Sequence, residues 1–178
     1  MKLTLSWLSE KAACVEALNA FKKRFGEEAE YQDVLDALAE SNHVDWALWL
    51  IRTVGPVKSV KKIAGQVKIS GHLFIAGSLE IERYVEVKGL LLAGSGIKAG
   101  WGIKAGSGIE AGEGIEAGFS IVCTKTISVK LRIFAGLCLW RLPTLDEQRI
   151  VCATLESGQV CYGTLKETSK TGLVEVML

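Results

Sequence analysis

The 178 residues suit one compact domain, or a small domain fused to a repeat array. Charges nearly cancel, with 21 Lys and Arg against 20 Asp and Glu for a formal net of +1, which argues against a sequence-independent nucleic-acid binder and against an acidic nucleic-acid mimic. The five cysteines (Cys14, Cys123, Cys138, Cys152, Cys161) are odd in number and lack C-x-x-C spacing, so neither a zinc nor a redox motif has support and a reducing cytoplasm is expected.

Met1 to Leu5 reaches the polar Ser9-Glu10-Lys11 too soon for the apolar core of a signal peptide, and no apolar run approaches membrane-spanning length. A chain with no leader and no membrane partner is therefore expected. Residues 1–56 read as a helical domain that caps the first end of the array that follows. Ser9 is a fair N-cap, and Cys14, Ala17, Leu18, Phe21 and Phe25 follow at helical spacing before Gly26. A second helix is expected around Tyr31, Val34, Leu35 and Leu38. A third runs from near Asn42 through Asp45–Arg52 to Gly55-Pro56. Trp46 and Trp49 share one face of that helix, where packing in a core is favoured over a partner-binding stripe. Residues 57–66, with Lys58, Lys61 and Lys62, read as a basic connector.

From Val67 the chain repeats every six residues. The first position is aliphatic from Val67, Leu73 and Leu79 through Ile97, Ile103, Ile109 and Ile115 to Ile133. The third runs from Ile69 and Ile75 through Ala99, Ala105, Ala111 and Ala117 to Ala135. Strand side chains alternate with period two, so these two positions share a face while the second points outward. Glycine-rich positions four to six make corners between Gly94 and Gly118. A flat sheet would leave two open edges and one apolar face uncovered. Coiling removes both problems, so the fold class is mainly β: a hexad β-solenoid, or β-helix, over residues 67–142.

Three hexads per coil give a triangular section of about four coils, roughly 20 Å tall at the usual strand spacing. Two hexads per coil is the rival. Outward charges suit both: eighteen residues per coil place Lys68 over Glu86, Glu80 over Lys98, Glu86 over Lys104 and Lys98 over Glu116, while twelve pair Lys98 with Glu110 and Lys104 with Glu116. Only the eighteen-residue coil stacks Arg83, Trp101, Phe119 and Leu137 in one column, which favours three sides. After Cys138 the beat persists through Leu139 and Leu145 and fails at Pro143-Thr144. Residues 143–178 read as a small β cap, with strands over 149–155 and 160–163 joined by a turn at Ser157-Gly158, and a last strand at Leu173–Leu178.

Little catalytic chemistry is legible. Hexad acyltransferases place a small residue two positions before the aliphatic one, whereas here it follows (Ile97-x-Ala99), and His72 is the sole candidate base. The Gly-x-Gly pairs open no helix and precede no Gly-Lys-Ser/Thr. No metal or cofactor is implied. What remains is surface: Trp101 and Phe119 break a Gly/Ser-rich corner column, and Phe74 and Phe134 sit at outward positions.

The Ile-x-Ala-Gly beat of residues 67–138 resembles that of bactofilins, bacterial solenoids, which implies end-to-end self-assembly. The Val44-Asp45-Trp46-Ala47-Leu48-Trp49-Leu50 helix combined with Gly-Ile-Lys-Ala-Gly-Trp and Gly-Ile-Glu-Ala-Gly repeats is similar to accessory proteins of bacteria and their phages. That resemblance implies a stoichiometric inhibitor, an anti-CRISPR or other anti-defence protein, or an immunity-like partner. The expectation is a non-catalytic protein-binding module, anchored by Trp101 and Phe119 beside Arg83, Lys98, Lys104, Glu110 and Glu116. A self-assembling structural solenoid and a His72-dependent acyltransferase are the alternatives.

Overall fold

An aliphatic residue and an alanine separated by one outward position fix a three-residue strand with a large and a small side chain on its inner side. The computed structural model describes residues 1–55 and 57–169, and there every inward position from Leu73 to Ala135 is buried in one continuous cluster. Ile103 pairs in parallel with Val85 on one side and Ile121 on the other. Each step is eighteen residues, so the coil has three sides.

The first face stacks Val67–Ile69, Val85–Val87, Ile103–Ala105, Ile121–Cys123, Arg149–Cys152 and Thr164–Glu167. The second stacks Leu73–Ile75, Leu90–Ala93 and Gly108–Ala111; the third stacks Val60–Ile63, Ser78–Ile81, Ile97–Ala99 and Ile115–Ala117. Two long strands, Thr126–Ala135 and Thr154–Tyr162, turn the corner without a break and complete both of those faces.

The stack is longer than the four coils expected over 67–142: the first face alone has six strands. At the lower end, Val60–Ile63 already pairs with Ser78–Ile81, so the lysine-rich segment taken for a connector begins the solenoid, with Lys62 outward. At the upper end, Ile121 pairs with Ile150 and Ile150 with Leu165. Ile150 and Cys152 are fully buried in the same core, and that burial carries the stack past the point where the hexad spacing is lost. The C-terminal segment is β, as expected, but Ser157-Gly158 is not a hairpin turn. Thr154–Tyr162 continues parallel to Thr126–Ala135 through a register shift, with Gly158 at φ 110°. Pro56 and the strand expected over Leu173–Leu178 lie outside the described residues.

The N-terminal domain holds four helices rather than three: α1 (Leu5–Glu10), α2 (Val15–Phe25), α3 (Tyr31–Glu40) and α4 (Val44–Val54). Thr4, not Ser9, caps the first of them, accepting the Trp7 N–H at 3.2 Å. Ala12, at φ 60°, then breaks the segment that spacing alone reads as one helix. Strands Lys2–Thr4 and Glu28–Glu30 pair antiparallel and tie the start of the chain to α3. Leu3, Phe21, Tyr31, Leu35 and Leu50 form a second core that takes in Phe74, Ala76, Leu90 and Leu92 of the solenoid. The domain therefore lies on the outer side of the second face. Phe74 does point outward, as expected, and is 0 % exposed because these helices cover it.

The docking also closes a sheet edge. Leu73–Ile75 is the lowest strand of its face, and unpaired edge groups invite pairing with other chains. Here the Gln32 amide of α3 donates to the Phe74 carbonyl at 2.8 Å and accepts the Ala76 N–H at 3.0 Å.

Candidate protein-interaction surface

The corner between the third and first faces repeats every eighteen residues, and its side chains stack because the backbone beneath them does. Trp101 N–H donates to the Arg83 carbonyl at 2.8 Å, and Phe119 N–H to the Trp101 carbonyl at 2.7 Å. On that ladder the rings of Tyr84 and Trp101 lie 6.4 Å apart, Trp101 and Phe119 6.4 Å, and Phe119 and Trp140 6.2 Å. Lys68 sits 5.5 Å over Tyr84, Arg83 5.5 Å over Trp101 and Arg141 4.5 Å over Phe119. The result is a fixed strip of four aromatic rings with cations against their faces, a geometry that favours both ring and cation. Trp101 remains 37 % exposed.

The upper end of this strip carries an insertion. Ile121 and Ile150 are register partners 29 residues apart, against eighteen in the coils below, so eleven extra residues leave the coil here. Their shape is set by charge-assisted bonds. Arg141 grips Glu147 through both nitrogens, at 2.7 and 2.5 Å, and Glu147 also accepts the Thr144 N–H at 2.9 Å. Glu147 N–H returns a bond to Thr144 Oγ1 at 3.3 Å, completing a reciprocal capping box before the 3-10 turn Asp146–Gln148. The Arg141 bond first, then the Thr144 N–H, hold the Glu147 carboxyl down at about 2. The loop so braced presents Leu139, Leu142 and Leu145 outward at 95 %, 92 % and 79 % exposure, beside Trp140. Leu139 and Leu145, read as continuing the inward beat, are instead turned into solvent. The bracing at 141–147 turns the backbone out of the coil.

Of the sequence-predicted residues, Arg83, Trp101 and Phe119 come together on this corner. Lys98 and Glu116 pair at 2.8 Å on the third face, and Lys104 pairs with Glu86 at 3.2 Å on the first, so these flank the strip on either side. All four eighteen-residue charge registers hold, from Lys68 over Glu86 to Lys98 over Glu116. Glu110 does not join them. It lies on the second face with Arg52 of α4 3.6 Å away; burial pushes its carboxyl above the usual range and Arg52 opposes that shift.

Sequence reasoning missed Tyr84, Trp140 and the loop leucines. A signal for the loop was present: Thr144-Leu145-Asp146-Glu147 has capping-box spacing at the point where the hexad fails. His72 is committed to structure. Its Nδ1 accepts the Leu90 N–H at 2.9 Å, so Nε2 carries the proton and donates to Asn42 Oδ1 at 2.6 Å. The ring thus joins the helical domain to the solenoid, and burial pushes its pKa down.

Two concavities complete the surface. An open groove of about 750 Å³ crosses the third face below Lys130, Leu131 and Arg132, which replace the glycine-flanked corners Gly94-Ser95-Gly96 and Gly112-Glu113-Gly114 of the coils beneath. An apolar cleft of about 460 Å³ opens in the helical domain among Leu8, Phe21, Phe25, Trp46, Trp49 and Leu50. Trp49 packs at the edge of the helical core, whereas Trp46 stacks on His43 at 4.1 Å. Among the described residues no group of three or more His, Cys, Asp or Glu converges on a metal-sized site, and no helix is long and apolar enough to cross a membrane.

Residues 1–54 are similar to a family described as the YdhT N-terminal domain. The likeness stops at the last residue of α4, so the matched unit coincides with the helical domain and leaves the solenoid outside it. No curated protein and no solved structure matches the chain.

Proposed function

We propose that this protein is a non-catalytic binding module that captures another protein on the strip formed by Tyr84, Trp101 and Phe119, with Arg83 at its foot. Its biochemical role is that of a stoichiometric inhibitor or adaptor, of the accessory kind carried by bacteria, phages and mobile elements, acting in the cytoplasm. The observation that carries the reading is a row of stacked aromatics held half in solvent on a rigid ladder. Its side chains lose little conformational freedom on binding, and aromatic and arginine side chains so fixed supply most of the energy in protein interfaces. Both nitrogens of His72 are bonded, which supports the binding reading over the acyl-transfer alternative.

The test is a pull-down from host lysate with the wild type and a Trp101→Ser/Phe119→Ser double variant whose circular dichroism matches it. Partner capture lost in the variant supports the reading; capture of the same partner at wild-type levels overturns it.

A further inference from the structure

Among the described residues, one convex and one concave apolar feature stand out as a matched pair, and neither is used within the molecule. The convex one is the braced insertion with Leu139, Leu142 and Leu145 exposed at 95 %, 92 % and 79 %. The concave one is the cleft of about 460 Å³ in the helical domain, walled by Phe21, Phe25, Trp46 and Trp49. Such a volume lies in the range of formed ligand sites and admits a few leucine-sized side chains.

Geometry forbids their meeting inside one copy. The helices cover the second face, through Phe74 and Leu92. The insertion leaves from the corner between the third and first faces, which in a three-sided prism is the corner opposite the second face.

Charge points the same way. Residues 1–55 hold 6 Lys and Arg against 9 Asp and Glu, a net of −3, while residues 57–169 hold 14 against 10, a net of +4. The near-neutral total conceals an acidic helical domain on a basic solenoid. Glu10, Glu16 and Asp45 lie on α1, α2 and α4, three of the four helices that line the cleft, and make no ion pair among the described residues. On the other side Arg83, below the loop, has an aromatic face and, among the described residues, no ion-pair partner.

We infer that the leucine loop of one copy seats in the helical cleft of a second copy, a head-to-tail contact that leaves one free loop and one free cleft on every pair. Such a heterologous contact grows into a ring or an open chain rather than stopping at a symmetric dimer. The inference does not rest on the proposed function: the loop leucines and the cleft carry it, and it shares only Arg83 and Trp140 with the aromatic strip.

The experiment is light scattering and sedimentation on the full chain over a wide concentration range, with two variants altered only at exposed positions. Leu139→Ser/Leu142→Ser removes the knob and Ala20→Trp fills the mouth of the cleft, where Ala20 is exposed. Wild type is expected to grow with concentration. Each variant alone stays monomeric, with association weakened about tenfold or more, and an equimolar mixture forms a one-to-one dimer that grows no further. A wild type monomeric throughout overturns the inference, as does a loop variant that fails while the cleft variant still associates, the pattern of a symmetric loop-to-loop dimer. Partner capture through Trp101 and Phe119 in a monomeric wild type would leave the proposed function standing while the head-to-tail contact falls.

Discussion

Gly96 and Gly118 occupy corners of the same repeat, yet substituting each by alanine is expected to have opposite consequences. A Cβ on Gly118 would stand 1.9 Å from the Gly100 carbonyl oxygen, whereas at Gly96 the nearest atom, the Gly114 oxygen, is 3.5 Å away. Neither glycine has positive φ, so the difference is purely one of space. To restore a tolerable 3.0 Å from 1.9 Å, the two coils must part by 1.1 Å at Gly118. That shift falls where Gly118 N–H donates to Ala99 at 3.0 Å and Phe119 N–H to Trp101 at 2.7 Å. Weakening two ladder bonds costs about 1 kcal/mol each, and the overpacking about 1–3 kcal/mol more. Gly118→Ala should therefore lose about 3–5 kcal/mol, a large part of a typical folding free energy of about 5–15 kcal/mol. Gly96→Ala should be neutral or gain up to about 1 kcal/mol, by restricting the unfolded chain. Urea unfolding followed by circular dichroism reads both, with the slope compared alongside the midpoint because a repeat array loses two-state behaviour when its coils uncouple. Equal midpoints for the two variants would refute the claim that coil-to-coil contact, rather than glycine content, governs these corners.

The remaining predictions concern His72 and the loop brace. The folded pKa of His72 lies below its usual value of 6.5, so the folded state binds the proton less readily than the unfolded chain. Stability from this group is complete above 6.5 and falls as the pH drops through 6.5 toward the folded value, where protonated Nδ1 would face the Leu90 N–H. The other groups packed against the ring, Asn42 and the Phe74 ring at 5.5 Å, are uncharged. Thermal midpoints taken between neutral and mildly acid pH should fall for the wild type and flatten for His72→Gln; parallel curves would dismiss His72 as the source. In the loop, Glu147→Gln removes the carboxylate that Arg141 and Thr144 hold. Limited proteolysis should then cut faster within residues 137–145, with the global midpoint unchanged within about 0.5 kcal/mol. A cleavage rate equal to wild type would show that the brace does not set the loop's shape.

The solenoid was legible because its period is short and strict: Ile103 and Ala105 sit in the core where their spacing puts them, at 1 % exposure each. Coil size was legible only through the Arg83–Trp101–Phe119 column, since the charged residues match in either geometry. Where the stack ends was not legible. Lys61 and Lys62 look like a solvated bend, but a lowest strand needs only Ile63 turned inward, and exposed lysines suit an end coil. Ile150 carries the stack on after an insertion that breaks the count. The helical domain's position was equally hidden, because Phe74 and Leu92 are outward by pattern and only docking reveals that something covers them. Of the surface strip, the two residues in strict register were found, while Trp140 was not, because it reaches Phe119 from outside the repeat.

In a structure this regular, each departure from the repeat has to be held by something other than the repeat. Phe74 and Leu92 depart from the charged outward row, and four helices with a Gln32 bridge answer them. Lys130, Leu131 and Arg132 depart from the glycine-flanked corners, and the open groove lies beneath them. The insertion departs from the eighteen-residue count, and Arg141 and Glu147 brace it with no core of its own. A loop that exposes three leucines so completely lowers solubility and gives the fold nothing in return, since Ile121 and Ile150 would stack equally well across a plain corner. Its position fixes what it can reach. The coils between it and the helical domain are joined by continuous ladder hydrogen bonds, so the two apolar features keep a set separation on different sides of the prism. A rigid prism with a knob on one side and a socket on the other dictates the orientation of whatever it joins, and flexible tethering of the same two features would not.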